Sequence, residues 1–373
     1  MTKPVAVLFA DSHLQEGAWA SRPSIKGDSF HSFRQLIDKA IEWQVPLIGA
    51  GDLIDQQRNS SGPIIFLLEQ MERFAEENGR GDLLFIQGQH EMQEKPWFSG
   101  SDVACHLDGS CGVEVPGIGK VYGIDFRPHG KLEVEFDDIP DDVGLLVTHQ
   151  VWGEFMGSIT SPQGMLGNLP EQVRLVLTGD FHQTRMETIR NAGGHEMKVL
   201  SPGSTCMQEI SEPEEKGYFV LFDDGDVCPQ LLETRPVIRW DVMTMAEDVD
   251  RFAEEIGERI NEAVAGTEFP GKPLLHIRYA ARLSDVKHRV GRVVGDQAHV
   301  FLKEIPPEKP DVESRRLRRE ETGERHASTL ESELSGYLED REQGHLEATV
   351  RRLLEAPDSV TEMALIRKEM LED

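Results

Sequence analysis

Residues 177–183 read LTGDFHQ, and the apolar run Val173–Leu177 (VRLVL) feeds straight into Gly179, Asp180 and His182. An acid and a histidine two residues apart, where a buried strand ends, mark a place where α/β proteins keep their chemistry. The same ending recurs along the chain. PVAVLFA (residues 4–10) delivers Asp11-Ser12-His13, and VPLIGA (residues 45–50) delivers Gly51-Asp52-Leu53-Ile54-Asp55. DLLFI (residues 82–86) leads to Gly88-Gln89-His90-Glu91, and VGLLVTHQ (residues 143–150) carries His149. Continuous apolar runs of this length read as buried strands.

Helical patterns lie between the runs. From Asp28 to Trp43, Phe30, Phe33, Leu36, Ile37, Ala40 and Ile41 fall at helical spacing. A second helix, from about Pro63 to Glu77, follows the capping signal Ser60-Ser61, with Pro63 near its start. The stretch from Gly112 to Glu135 is more β-like. Strand, polar loop and helix repeat, which predicts an α/β fold. One Asp after a strand is normally a turn or cap residue; five such endings in one chain ask for another reason. In a doubly wound sheet the strand ends converge on one edge. Asp11, His13, Asp52, Gln89, His149, Asp180 and His182 would then share one crevice.

Carboxylates, imidazoles and an amide, with no cysteine among them, describe a site for Mn, Fe, Zn or Mg and argue against a structural zinc. Seven groups hold two ions if one carboxylate bridges. Two ions about 3.5–4 Å apart clamp the attacking and leaving oxygens of a phosphoryl displacement.

The bulk numbers bound the alternatives. A chain of 373 residues predicts two or three domains, and 38% hydrophobic residues are ordinary for a soluble protein. No segment approaches the roughly 18 consecutive apolar residues of a membrane helix. The apolar start is too short for a signal peptide and lacks a cleavage site, so it reads as a strand. Cys105, Cys111, Cys206 and Cys228 form no CxxC pair and suit free thiols in a reducing cytoplasm, of a host cell if the source is viral. A formal net charge of −28 argues, alone, against a nucleic-acid binder. A metal cluster reverses the sign locally, so the total does not decide the substrate.

The ordered motifs at Asp11-Ser12-His13, Gly51-Asp52-Leu53-Ile54-Asp55, Gly88-Gln89-His90-Glu91, His149 and Gly179-Asp180-Phe181-His182 resemble the calcineurin-like metallophosphoesterases, over roughly residues 4 to 235. A narrower resemblance follows. Residues 200–222, LSPGSTCMQEISEPEEKGYFVLF, are similar to the PGS…E…KGY segment of the SbcD nuclease group, which includes the double-strand-break repair nucleases. Read by itself, Pro202-Gly203-Ser204 is a turn, and GYFVLFDDGDV is a strand with a hairpin signal.

The resemblance implies a four-layer α/β domain of two packed β-sheets flanked by helices. It also implies a first ion on Asp11, His13, Asp52 and His182, and a second on Asp52, Gln89, His149 and Asp180, with Asp52 bridging. His90 would be the general acid, Glu91 would orient it, and Asp55 would be structural. Gln89 stands where the family has Asn, and Asp180 where it has the first His of GHxH. The second change adds charge and oxygen to the second position, which favours Mn or Mg over Zn.

Residues 1–238 are therefore expected to form the phosphoesterase domain. Leu232–Trp240 reads as a linker. Residues 246–265 form an amphipathic helix through Val249, Phe252, Ile256, Ile260 and Val264. The breaker Phe269-Pro270-Gly271-Lys272-Pro273 comes next, then two strands (PLLHIRYAARL, AHVFLKEI) around a short helix. Residues 239–305 thus resemble the small α+β capping domain of the SbcD group. Residues 306–329 form a charged linker, whose Arg315, Arg316, Arg318 and Arg319 read mainly as a solvated run. Residues 330–373 form a helical tail interrupted by Pro357, with apolar positions such as Leu334, Leu338, Leu346, Val350 and Leu353. Such a tail packs on its own domain or docks in a partner groove.

The resemblance implies two divalent ions (manganese, or magnesium), DNA as substrate, and an SbcC-like coiled-coil ABC ATPase as partner, with no membrane. A homodimer stays open. Two other readings stay open too: a phosphatase or cyclic-nucleotide phosphodiesterase, and a non-catalytic scaffold with a degenerate site.

Overall fold

The computed structural model describes residues 2–305, apart from positions 18–21, 23, 56–60, 79–82, 97–100, 108, 110–111, 157–161, 243–247 and 281–285. The chain divides into two compact units at Pro306. The expected linker and tail at 306–373 lie outside the described residues.

In chain order the first elements are β1 (Pro4–Phe9), α1 (Asp28–Trp43), β2 (Leu47–Gly49), α2 (Ser61–Asn78), β3 (Leu83–Phe85) and β4 (Ala104–His106). Next come β5 (Val113–Val115), β6 (Gly119–Ile124), β7 (Val143–His149), α3 (Gly153–Met156) and β8 (Leu175–Gly179). They are followed by β9 (Arg185–Arg190), β10 (Glu196–Ser201), β11 (Lys216–Phe222) and β12 (Val227–Leu232). The last are β13 (Val237–Val242), α4 (Asp248–Ala265), β14 (Leu274–Ala280), α5 (Val286–Val294) and β15 (His299–Ile305).

One six-stranded sheet has the order β12-β11-β1-β2-β3-β4, the other β5-β6-β7-β8-β10-β9. Both are mixed: β1 runs parallel to β2 and antiparallel to β11, while β7 runs parallel to β6 and β8. Alternation along each strand explains the stacking. Ala6, Leu8 and Ala10 turn inward with Phe219 and Leu221, meeting Val121, Leu145, Val147, Leu177 and Leu200 of the second sheet. Val7, Phe9, Tyr218 and Val220 turn outward onto Phe33, Leu36 and Ile37 of α1 and Phe66 and Leu67 of α2. The second sheet's outer face, including Tyr122, Leu146, Val176 and Val199, is covered by Trp152, Phe155, Leu132, Leu166 and Leu169.

The ligand-bearing strands do not share one doubly wound sheet. β1, β2 and β3 belong to the first sheet, β7 and β8 to the second, so the crevice opens where two stacked sheets end side by side. Buried runs carry no mark of which sheet they join, because both faces are covered either way. The β-like reading of Gly112–Glu135 holds through Ile124; Glu133–Asp138 is instead a 3₁₀ helix that buries Phe136.

Parallel strands β13, β14 and β15 form a third sheet with its own core. Ile238, Leu275, Ile277 and Tyr279 pack on Ile256 and Ile260 of α4 and Val290 and Val294 of α5. The connection from β12 to β13 is pinned. Arg235 is buried, and its guanidinium donates to both carboxylate oxygens of Asp28 at 2.7 and 2.9 Å and to the carbonyl of Lys272 at 2.6 Å.

Candidate metal centre

Three of the five strand ends, those of β1, β2 and β8, hand over their chemistry through left-handed backbone. Asp11, His13, Asp52 and Asp180 adopt left-handed conformations, with φ of 49°, 42°, 49° and 73°. Non-glycine residues seldom do so, and such strain concentrates at functional sites. Neighbouring loops lock it in place: the N–H groups of Asp11 and His13 donate to the carbonyls of Gly51 and Asp52 at 3.1 and 2.8 Å. The Asp180 N–H donates to Asp11 Oδ1 at 3.0 Å, tying the second sheet to the first.

Glycines leave the space. A Cβ on Gly88 would stand 2.0 Å from Asp52 Oδ1, and one on Gly179 would stand 2.5 Å from His149 Nδ1.

The seven expected ligands converge. Asp11, His13 and His182 offer ligand atoms within 4.8 Å of one another, as do Asp11, Asp52 and His149. Asp52 Oδ2 lies 3.3 Å from His149 Nε2 and 3.8 Å from His13 Nε2. His13 Nε2 and His182 Nε2 are 3.3 Å apart. His149 Nδ1 donates to the Ala50 carbonyl at 2.7 Å, which leaves Nε2 facing the carboxylates. His149 Nε2 is 3.9 Å from Asp180 Oδ1. Gln89 Nε2 donates to Asp180 Oδ1 at 3.0 Å, so the two residues that depart from the family pattern are paired with each other. Asp11, His13, Asp52 and His149 form a buried floor; Gln89, His90, Asp180 and His182 form a rim open to solvent.

The donor set fits divalent cations. Asp11 Oδ2, Asp52 Oδ2 and His149 Nε2 are buried without a hydrogen-bond partner among the described residues. Orphaned buried polar atoms are costly, and here they cluster around one space. Burial opposes the charge of Asp52, yet the His149 imidazole outweighs it and holds this carboxyl well below the usual range. Burial pulls His149 down, while Asp52, Asp11 and Asp180 raise it well above an ordinary histidine. The cluster thus favours positive charge beside its carboxylates, which a bound cation would supply.

Around this centre two expected supports change places. Glu91 does not hold His90. Its buried carboxylate accepts the N–H groups of Ile54, Leu53 and Gly88 at 2.9, 3.1 and 3.3 Å, bracing the loops that carry Asp52 and Gln89. Burial and the neighbouring Asp52 push Glu91 up to about 7. His90 is held by Asp55: its Nδ1 is 2.7 Å from the Asp55 carbonyl and 3.2 Å from Asp55 Oδ1. The Asp55 carboxylate, against partial burial, pushes His90 up to about 9. Asp55 Oδ1 also stands 3.4 Å from His13 Nδ1, so one acid backs two imidazoles. A turn residue three positions after Asp52 gave no periodic signal for that role.

Sequence reasoning also missed Glu212, whose Oε1 lies 3.1 Å from His182 Nδ1. The available signal was Lys216 at the head of an otherwise apolar strand, since a buried lysine requires a partner.

No family model matches the chain. Over 280 residues it is 28% identical to the DNA double-strand break repair protein Mre11 of Methanosarcina acetivorans, covering 70% of this chain and 44% of that protein. Over 252 residues it is 25% identical to the uncharacterized metallophosphoesterase YhaO of Bacillus subtilis, covering 62% of this chain and 58% of that one. The chain spans about half the length of the curated relatives it matches.

Proposed function

We propose that the chain is a calcineurin-like metallophosphoesterase related to DNA repair nucleases, and that it hydrolyses phosphodiester bonds of DNA with two divalent ions. The observation that carries this is Asp52 Oδ2, unpartnered and flanked by His149 on one side and His13 on the other. A carboxylate so placed suits a bridge.

The first ion would be held by Asp11, His13, Asp52 and His182, the second by Asp52, Gln89, His149 and Asp180. Such ions supply a nucleophilic water at neutral pH and neutralise charge on the phosphate. Three aspartates among the ligands suit manganese or magnesium.

The chain's own residues do the rest. Asp11, Asp52 and the imidazoles fix the floor, so ligand geometry does not reorganise as charge develops. The solvent-exposed rim is where a phosphodiester would approach. His90 stands there with Nδ1 held by Asp55 and Nε2 3.9 Å from Asp52 Oδ2. Its Nε2 proton serves the leaving oxygen, as general acid or charge stabiliser. Glu91 keeps the Asp52 and Gln89 loops in register.

Similarity to Mre11, a DNA double-strand break repair protein, supports DNA as substrate, while an SbcC-like ATPase as partner rests on the SbcD-like segment of the sequence alone. The net charge of −28 favours the other reading, a phosphatase or cyclic-nucleotide phosphodiesterase. One assay separates them: digestion of labelled duplex and single-stranded DNA with manganese, beside bis-p-nitrophenyl phosphate and a cyclic nucleotide. We expect DNA cleavage that Asp52→Ala abolishes. Turnover of the small esters with intact DNA under every condition would overturn the nuclease reading. Bound metal without turnover on any substrate would leave the scaffold.

A further inference from the structure

The segment from Pro202 to Tyr218 has a geometry that the fold alone does not require. Lys216 opens β11 and is only 1% exposed. Its Nζ donates to Ser204 Oγ at 2.7 Å and to Glu212 Oε2 at 2.7 Å. The same carboxylate oxygen accepts the N–H of Gln208 at 3.1 Å. With one oxygen thus fixed, the other, Oε1, stands 3.1 Å from His182 Nδ1.

The Pro202-Gly203-Ser204 turn presses on the same histidine from its backbone side. Ser204 N–H donates to the His182 carbonyl at 3.3 Å, and Thr184 Oγ1 donates to the Pro202 carbonyl at 2.7 Å. Gly203 has φ 78°, and a Cβ there would stand 2.9 Å from the His182 carbonyl oxygen. On its far side the loop is gripped by Arg239 of the third sheet. That guanidinium donates to the carbonyls of Glu212 and Ile210 at 2.6 and 2.7 Å and to Glu214 Oε1 at 2.8 Å.

Of these contacts, the Glu212 carboxylate is the one that reaches the ring of His182, and the others hold Glu212 and the His182 backbone in place. A carboxylate at Nδ1 keeps the proton on that nitrogen and leaves the Nε2 lone pair for a cation. Nε2 is 3.3 Å from His13 Nε2 and 3.9 Å from Asp11 Oδ1. His182 is the most exposed histidine of the first ligand group, with its side chain 31% exposed, so it is the one that most needs external support.

We infer that Glu212, anchored by Lys216 and Ser204, is a positioning residue that presents His182 to the ion held with Asp11 and His13, and to that ion selectively. The inference rests on the metallophosphoesterase reading.

The test uses the full chain, stripped of metal and titrated with Mn²⁺ or Co²⁺. Elemental analysis gives stoichiometry, and Co²⁺ absorption reports the ligand field. Two ions on the unaltered chain are the premise; no ion there would overturn the metallophosphoesterase reading itself. Glu212→Ala should weaken one of the two ions by about 10–100-fold and leave the other in place. Glu212→Gln keeps an acceptor oxygen and should fall between Ala and the unaltered chain. Glu212→Ala leaves Lys216 buried and unpaired, so Glu212→Ala with Lys216→Met removes both charges and keeps a folded reference. That double variant should melt as the unaltered chain does without metal, yet show the same selective loss. Two ions bound with unaltered affinity in a folded double variant overturn the positioning role. So does an equal loss of both ions, which would mark a structural prop.

Discussion

At the residue scale, four of the seven candidate ligands sit in left-handed backbone. A side chain there leaves the strand at an angle an extended residue does not reach, which lets consecutive strand ends aim at one point. The paired departures, Gln89 and Asp180, gain meaning together. Gln reaches one methylene further than Asn, and its amide meets the Asp180 carboxylate at 3.0 Å. Asp180→His should return a nitrogen donor to the second position and shift preference toward Zn or Fe. Competition between Mn²⁺ and Zn²⁺, read by elemental analysis, checks it; unchanged preference would show that Asp180 stands outside the ligand set. His90 is a separate case, because Asp55 holds its ring while its backbone N–H donates to Asp52 Oδ1 at 2.9 Å. His90→Asn should keep both ions and DNA binding while turnover falls by about 10²–10⁴, the range for lost acid–base catalysis. Loss of an ion in that variant would make His90 a ligand instead.

At the element scale, the site depends on short strands ending beside loops with no room to spare. β2 and β3 are three residues each, and the loop after β3 crosses directly over Asp52. Gly88→Ala should therefore act as an Asp52 variant without touching its carboxylate, because the added methyl overlaps Asp52 Oδ1. We expect loss of metal and activity with far-ultraviolet circular dichroism unchanged; full metal occupancy would show that the loop yields. This crowding was not legible in the chain, since a glycine before a ligand reads equally as a simple turn. The strand ends themselves were legible, because an apolar run stopping at Asp or His is a local signal. Partition into two sheets was not: β1 pairs with β11 from the far end of the domain, and nothing local announces that register. The support by Asp55 and Glu212 was hidden for the same reason, as each meets its histidine only after the loops fold together.

At the scale of the whole molecule, charge links stability, substrate and partner. The centre buries Asp11 and Asp52 with oxygens that lack a hydrogen-bond partner, so a bound cation should stabilise the folded chain. A ligand that binds only the folded state stabilises it by about 2.7 kcal/mol at a hundred times its Kd. Chelation should accordingly lower the melting temperature, and Mn²⁺ should restore it in a concentration-dependent way in the unaltered chain but not in Asp52→Ala. An equal response in both would place the stabilising ion elsewhere.

The same acidic balance bears on how a polyanion is found. A net charge of −28 opposes DNA at long range, and a metal centre corrects only its own surroundings. If DNA is the substrate, affinity must then come from elsewhere, and the sequence of residues 330–373, which lies outside the described residues, has the apolar spacing of a helix that packs on its own domain or docks in a partner groove. We predict that this tail binds an SbcC-like ATPase whose basic surface holds the DNA. Residues 1–305 are a compact unit with their own cores, so deleting 330–373 should leave a folded, metal-loaded protein active on small phosphodiesters. It should abolish co-purification with the ATPase and the ATP-stimulated share of DNA digestion. A truncated chain that still forms the complex would place the docking face within residues 1–329, and one that unfolds would make the tail part of the core.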